Sequence, residues 1–456
     1  MKPTIFSILL LVISLSVNGQ NDPFIQTEQA LMDIESLVSN FEKIHYNPYF
    51  KTSKTVFNKK KDDLLSSWEK DSISFKKFMV TGMKLSALLS GGHSNMDWQN
   101  RKIIPSIKSH HYVPFTGKIS IDNKTFIVTK SRHIEISAGM EILSINGISI
   151  VDLFKECMTY IGGIKAFKNS TCEMVFPLYL FFNESLKGPY TISCANKKEV
   201  KTIGLSLKEF MPLLNNSSFE NYTFKILDNE VGLISYNSCT GAKKFNKFLK
   251  KTFKELEAKK ITKLIIDIRE NSGGNSDLND LLLAYITTKS YLQSSGRFWK
   301  VSQMSKKVYA LRKYEKFFGQ DFMTKYYNTP NQDIIEEFWN DDSIQPISPN
   351  NYFEGNTCFL IGPNTFSSAN FLADAVKTYK LSTLIGSATG EYTNDFGEQL
   401  SFSLPYSGCI VNVSSTYDIG ANGDKTIFEP VYPDIKVEDN TLDYAVDWIK
   451  KEASKK

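Results

Sequence analysis

Histidine is scarce in this sequence. There are five in 456 residues, at positions 45, 93, 110, 111 and 133, so any imidazole base must come from a short set. The six cysteines (157, 172, 194, 239, 358 and 409) are scattered at long intervals. No close pair spells a metal knuckle or a redox motif, and their plain reading is buried small apolar side chains. Export would permit disulfides, but the spacing does not give a pairing. A basic block is absent too. Fifty-four Lys and Arg face 49 Asp and Glu, a net charge of +5 spread along the chain, so nothing points to nucleic acid. Internal repeats and low-complexity segments are lacking. No metal, nucleotide or other cofactor is implied.

Long apolar runs are also missing. The longest at the start, Ile5 to Val17, is too short to span a bilayer. With Lys2 before it and Val17-Asn18-Gly19 after it, Met1 to Gln20 reads as a secretory signal. No cysteine lies near that cleavage point, which argues against a lipid anchor there. The expectation is a periplasmic or secreted protein with no integral membrane span after signal removal. What remains, 41% apolar and 23% charged, is a globular chain long enough for two or three domains with their own cores.

After the signal, Ile25, Leu31, Ile34, Leu37, Val38, Phe41 and Ile44 recur at helical spacing. Further helices are expected over about Thr55 to Trp68 and Phe75 to Leu89, making residues 21–100 an N-terminal helical region. His45 closes the first helix beside Pro48, where stacking or capping explains it. The third helix stops at Ser90-Gly91-Gly92-His93. Paired glycines end a helix, and His93 is the one histidine set directly after such a pair. A turn histidine is either solvated or brought by the backbone into a cleft.

From about Lys102 to Gly204 the pattern turns short and β-like, with Asn146-Gly147 as the strongest hairpin signal. A helix from Asp152 to Tyr160 follows, then more strands, including Thr191 to Cys194. From about Tyr222 strand and helix alternate: a strand at Val231 to Tyr236, a Lys-rich helix at Ala242 to Ala258, and the apolar strand Leu264 to Ile268. Such alternation implies an α/β core. Gly273-Gly274 after that strand lets backbone approach a ligand, or simply makes a tight turn. Asp267 and Arg269 read as a structural pair. An aromatic-rich insertion, about 303–356, is read either as a lid or as surface elaboration. Later strands are expected near Leu384, at Leu400 to Leu404 and at Ile410 to Val413, with a last helix from Leu442 to Glu452.

One stretch organises the rest. Cys358 to Ile361 is a buried strand, Gly362-Pro363-Asn364 turns the chain, and Phe371, Leu372, Ala375, Val376 and Tyr379 follow at helical spacing. Ser367 and Ser368 stand at the helix start. A serine there is either an N-cap or a nucleophile placed where helix N–H groups stabilise an oxyanion.

Leu264-Ile-Ile-Asp-Ile-Arg-Glu-Asn-Ser-Gly-Gly274, followed by Asn364-Thr-Phe-Ser-Ser-Ala-Asn370, resembles the C-terminal-processing (tail-specific) protease superfamily. Its motifs read Asp-x-Arg-x-Asn-x-Gly-Gly and a Ser-rich strand-to-helix turn. The run Gly139 to Gly147 resembles the Gly-Asp-x-Ile-Leu-x-Ile-Asn-Gly of a PDZ domain, which takes up an extended peptide or serves as a spacer. The superfamily's lysine-using branch places that lysine after a Gly-x-x-Thr-x-Gly turn. The matching stretch here is Gly386 to Tyr392, and no lysine occurs between Lys380 and Lys425. The other branch, like the tricorn protease core, pairs serine with a histidine from a Gly-His turn and a late glutamate. By that resemblance Ser367, His93 and Glu429 would be the catalytic triad, with Ser368 the neighbour one register away. N–H groups of Gly273, Gly274 and Ser368 would form the oxyanion hole.

The resemblance implies an α/β (α+β) multidomain fold: a PDZ-like domain over 101–205 and a crotonase-like protease core over 220–456. It implies an exported serine endopeptidase acting on a peptide or protein substrate. Two other readings stay open. One is a non-catalytic binding protein for apolar ligands or peptides, as in interphotoreceptor retinoid-binding modules. The other is a hydrolase of non-peptide esters.

Overall fold

The computed structural model describes residues 22–89, 91–120, 124–196, 199–214, 220–339 and 352–452. The expected secretory signal lies outside the described residues. Among them, no helix is long and apolar enough to cross a membrane. The chain divides into two compact units. One takes in the described residues up to 214 together with 399–414, and the other those of 220–398 and 415–452.

The C-terminal unit is built on a six-stranded sheet ordered Tyr222–Leu227, Val231–Tyr236, Lys263–Asp267, Asn356–Ile361, Thr383–Gly386 and Ile435–Lys436. The first pair is antiparallel and every later pair is parallel. Side chains alternate across the sheet. Ile234, Leu264, Ile266, Phe359, Ile361 and Leu384 pack with the helices Ala242–Ala258, Asp277–Leu283 and Ser368–Thr378 on one face. Leu233, Ile265, Cys358, Leu360 and Ile385 meet Ala445 and Ile449 of the helix Thr441–Glu452 on the other. A parallel strand covered on both faces must be apolar throughout, and Leu264 to Ile268 is so apart from Asp267. The turns that leave the neighbouring parallel strands Lys263–Asp267 and Asn356–Ile361 therefore emerge side by side at the carboxyl ends of the strands, where open α/β folds hold ligands.

A second sheet runs Ile334–Phe338, Gly296–Lys300, Ile410–Ile419 and Asp395–Ser403. Its first two strands were not expected from the sequence. The aromatic residues of the insertion gather on Trp299: Tyr309 at 6.0 Å, Phe318 at 4.8 Å, Phe322 at 5.2 Å and Tyr326 at 6.0 Å between ring centroids. They form a small core, and residues 340–351 lie outside the description.

In the N-terminal unit the helices Thr27–Ile44, Lys54–Leu65 and Phe75–Ala87 stand where the apolar spacing placed them. His45 is buried at the C-cap of Thr27–Ile44, and its Nδ1 accepts the N–H of Asn47 at 3.1 Å, so it caps the helix end as read. The β-rich part is a sheet ordered Phe115–Ile119, Phe126–Ser131, Glu141–Ile145, Tyr190–Cys194 and Glu199–Thr202. Ile148–Ser149 folds back on Glu141–Ile145 through the Asn146-Gly147 turn, both at positive φ (50° and 78°). The sequence reading missed the 18-residue helix Lys165–Phe182. Its second half, Val175 to Phe182, is buried on every side and carries Pro177 inside the helix, so no helical period shows and a breaker residue argues against one. All six cysteines are buried.

A polar network braces the core beneath the Ser368–Thr378 helix. Asn279 accepts from the Tyr236 hydroxyl at 3.2 Å and donates to Gln293 Oε1 at 2.8 Å. Gln293 Nε2 donates to Asp280 Oδ1 at 2.6 Å, as does the Tyr291 hydroxyl at 2.8 Å. Burial pushes the Asp280 carboxyl up to about 6, against the pull of those two donors.

Two outcomes follow. Leu249, wholly buried on the Ala242–Ala258 helix, should cost about 3 kcal/mol on Leu249→Ala, read as a lower urea midpoint. The charged form of Asp280 is penalised in the folded state, so its contribution is intact at acid pH and lost as pH rises through its folded value. The stability advantage of Asp280→Asn over wild type should thus grow between about pH 4 and about pH 6, then stay level, in urea unfolding across pH.

Candidate active site

The strand Asn356–Ile361 ends in a turn stapled to its neighbour. Thr365 Oγ1 donates to the carbonyl of Ile268 at 2.9 Å and accepts the N–H of Gly362 at 3.0 Å. The N–H of Phe366 reaches the carbonyl of Asn271 at 3.0 Å. The chain then enters Ser367 at φ 57° and ψ −126°, and the helix begins at Ser368. A capping serine needs extended φ and ψ for its oxygen to reach the first-turn N–H groups. Ser367 lies outside that region, and its side chain makes no cap hydrogen bond. The cap reading of Ser367 therefore fails on geometry. Its carbonyl still accepts from the N–H of Phe371 at 3.0 Å, which starts the helix.

The paired glycines lie against this turn. A Cβ on Gly273 (φ 92°) would stand 2.7 Å from Ser367 Cβ and 2.9 Å from the nitrogen of Ser368. A Cβ on Gly274 (φ 141°) would stand 2.3 Å from the carbonyl oxygen of Cys239. Neither position admits a side chain. Ser368 ties the two turns together: its hydroxyl donates to the carbonyl of Gly274 at 2.8 Å, and its own carbonyl accepts from Asn279 Nδ2 at 2.7 Å. The N–H of Gly273, expected to serve an oxyanion, instead donates to Asn271 Oδ1 at 2.9 Å. Gly274 is exposed and Ser368 buried. Asp267 and Arg269 make the expected pair, bidentate at 2.6 and 2.9 Å.

Cys239, a thiol, stands beside the glycines. Burial pushes its thiol up to about 11, so it stays protonated at neutral pH and remains a packing residue.

The turn Thr389–Tyr392 closes on the serine from a third direction. The N–H of Gly390 donates to the carbonyl of Thr365 at 3.1 Å, and Asn370 Nδ2 donates to the carbonyl of Tyr392 at 2.8 Å. Between them the buried Glu391 accepts the N–H of Ser367 on Oε2 at 2.6 Å. Sequence reasoning passed over Glu391. The signal was its place within Gly386 to Tyr392, a stretch scanned only for lysine. Glu429 is exposed, and the bond the structure gives it here is through its backbone, whose carbonyl accepts the N–H of Thr393 at 2.9 Å.

His93 belongs to the N-terminal unit. It is buried in the turn after Phe75–Ala87, and its carbonyl accepts from Gln399 Nε2 at 2.9 Å. The next residue, Ser94, anchors that turn by accepting the N–H of Ser414 at 3.2 Å, and Asn95–Met96 pairs with Val411 and Asn412.

Residues 230–437 match the model of peptidase family S41. No curated protein matches the chain significantly. Among solved structures, a point mutant of CPAF superposes with a TM-score of 0.68 at 14% identity, covering 94% of this chain and 96% of that one. Mature CPAF complexed with lactacystin gives 0.65 at 14% identity, covering 94% and 97%. At such identity the likeness concerns the fold, and it extends over nearly the whole chain. Over residues 230–437 the chain matches peptidase family S41, a family of serine-type peptidases.

Proposed function

We propose that the chain is an exported serine endopeptidase that cleaves peptide bonds through an acyl-enzyme on Ser367. The observation that carries this is the backbone of Ser367: a positive φ at a helix start, with no capping bond and a glycine in contact with its Cβ. A strained non-glycine residue costs on the order of 1–3 kcal/mol and persists where the surroundings enforce it. The Ser367 hydroxyl makes no cap bond to its own helix.

His93 is proposed as the general base, on the Gly-Gly-His motif and its buried setting. A serine hydroxyl attacks only when a base takes its proton, and an imidazole titrating near neutrality can return that proton to the leaving amine. Glu429 is the proposed orienting carboxylate, on the sequence resemblance. For the oxyanion, the N–H groups of Gly274 and Ser368 are the donors in this reading. Gly273 supplies the space that lets the two turns meet. One such donor contributes on the order of 10²–10³ in rate. A PDZ-like domain over 101–205 suits a protein or peptide substrate. Export rests on Met1 to Gln20.

Incubating the mature protein with a fluorophosphonate probe, then mapping the adduct, tests the assignment. Label is expected on Ser367, and it should be lost in Ser367→Ala and in folded His93→Ala. Label on Ser368 would put the nucleophile one residue on. Folded protein that takes no label, with or without candidate peptides, would favour the non-catalytic binding reading. Faster turnover of esters than of any peptide would favour the ester hydrolase.

A further inference from the structure

Resting on the reading of Ser367 as nucleophile, we propose that Glu391 is a positioning residue that holds it through its backbone N–H. The side chain is buried, and its Oε2 accepts that N–H at 2.6 Å, shorter than an ordinary N–H···O bond. Ser367 has φ 57°, where an L-residue with a Cβ is strained, so something outside the residue must stabilise the conformation. The glycine contact supplies room and no attraction. Three bonds from Gly390, Glu391 and Asn370 join the turn Thr389–Tyr392 to the segment 365–370, and the one from Glu391 acts on the strained residue itself.

The turn that carries Glu391 is itself held. The N–H of Thr389 donates to the carbonyl of Val431 at 3.1 Å, the N–H of Val431 donates to Thr389 Oγ1 at 3.0 Å, and the N–H of Thr393 donates to the carbonyl of Glu429 at 2.9 Å. Glu391 thus stands on a turn clamped at both ends. It also sits at the N-terminus of the Ser368–Thr378 helix, where the dipole favours a negative charge. In this arrangement the N–H of Ser367 is committed to Glu391, which leaves oxyanion binding to the donors of other residues. Glu391 does not touch the reacting atoms in this role; it aims the hydroxyl.

The test compares Glu391→Ala with Glu391→Gln in the full mature chain. A glutamine carbonyl can still accept the Ser367 N–H; alanine cannot. Labelling rates by the fluorophosphonate probe should fall at least about tenfold in the alanine variant, since small misplacements of reacting groups cost that much or more. The loss should lie in the maximal labelling rate per active site and leave the half-saturating probe concentration in place. The glutamine variant should recover most of the rate. Hydrogen exchange of the peptide spanning 365–371, followed by mass spectrometry, should be faster in alanine and near wild type in glutamine. Wild-type labelling rates in Glu391→Ala, or unchanged exchange there, would overturn the proposal. So would a glutamine variant that labels faster than wild type, because the carboxylate would then be restraining the serine by its charge. Wild-type protein that takes no label would sink the nucleophile assignment itself, while faster exchange in the alanine variant would still report the Glu391 bond.

Discussion

The close approach of Gly273 to Ser367 is the constraint on which the rest of the site depends. Two loops that leave adjacent parallel strands can meet only if one of them carries no side chain at the crossing. Gly273 meets that demand, with a would-be Cβ 2.7 Å from that of Ser367. Once the loops touch, Ser368 can bond the carbonyl of Gly274 and Asn279 can bond the carbonyl of Ser368. Take the contact away and these bonds lose their partners, so local strain at Ser367 and the packing of the two turns are one property.

The polar groups behind the turn serve the same end. Asn271, Asn279 and Gln293 sit in an otherwise apolar core, with half-buried Asp280 beside them, and unpaired polar atoms are costly there. Asn271 bonds Gly273, and Asn279 bonds Tyr236, Gln293 and Ser368. Half-buried Asp280 is the end of that chain, and it accepts two donors there despite its raised affinity for a proton. Such networks specify one arrangement, because shifting any member strands its partners.

Much of this was legible beforehand. The helices Thr27–Ile44 and Ala242–Ala258 carry clear amphipathic spacing. Leu264–Ile266 in the strand Lys263–Asp267 is apolar and covered on both sides, and Asn146-Gly147 turns as its chemistry demands. The helix Lys165–Phe182 was illegible for the opposite reason: burial on all sides erases the period, and Pro177 counterfeits a break. The strands Gly296–Lys300 and Ile334–Phe338 were missed because their partners, including Ile410–Ile419, lie far along the chain.

At the site the division is the same. The sequence by itself determined which loops form the candidate site, since paired glycines after an apolar strand and a serine-rich helix start are local patterns with local physical causes. It left the serine's conformation open, because an N-cap and a strained turn are written with the same residue. Only the tertiary structure decided between them, through Gly273 pressing on Ser367 from another strand's loop. It alone brought in Glu391, 24 positions further on, whose bond to the Ser367 N–H depends on a fold that no local pattern encodes.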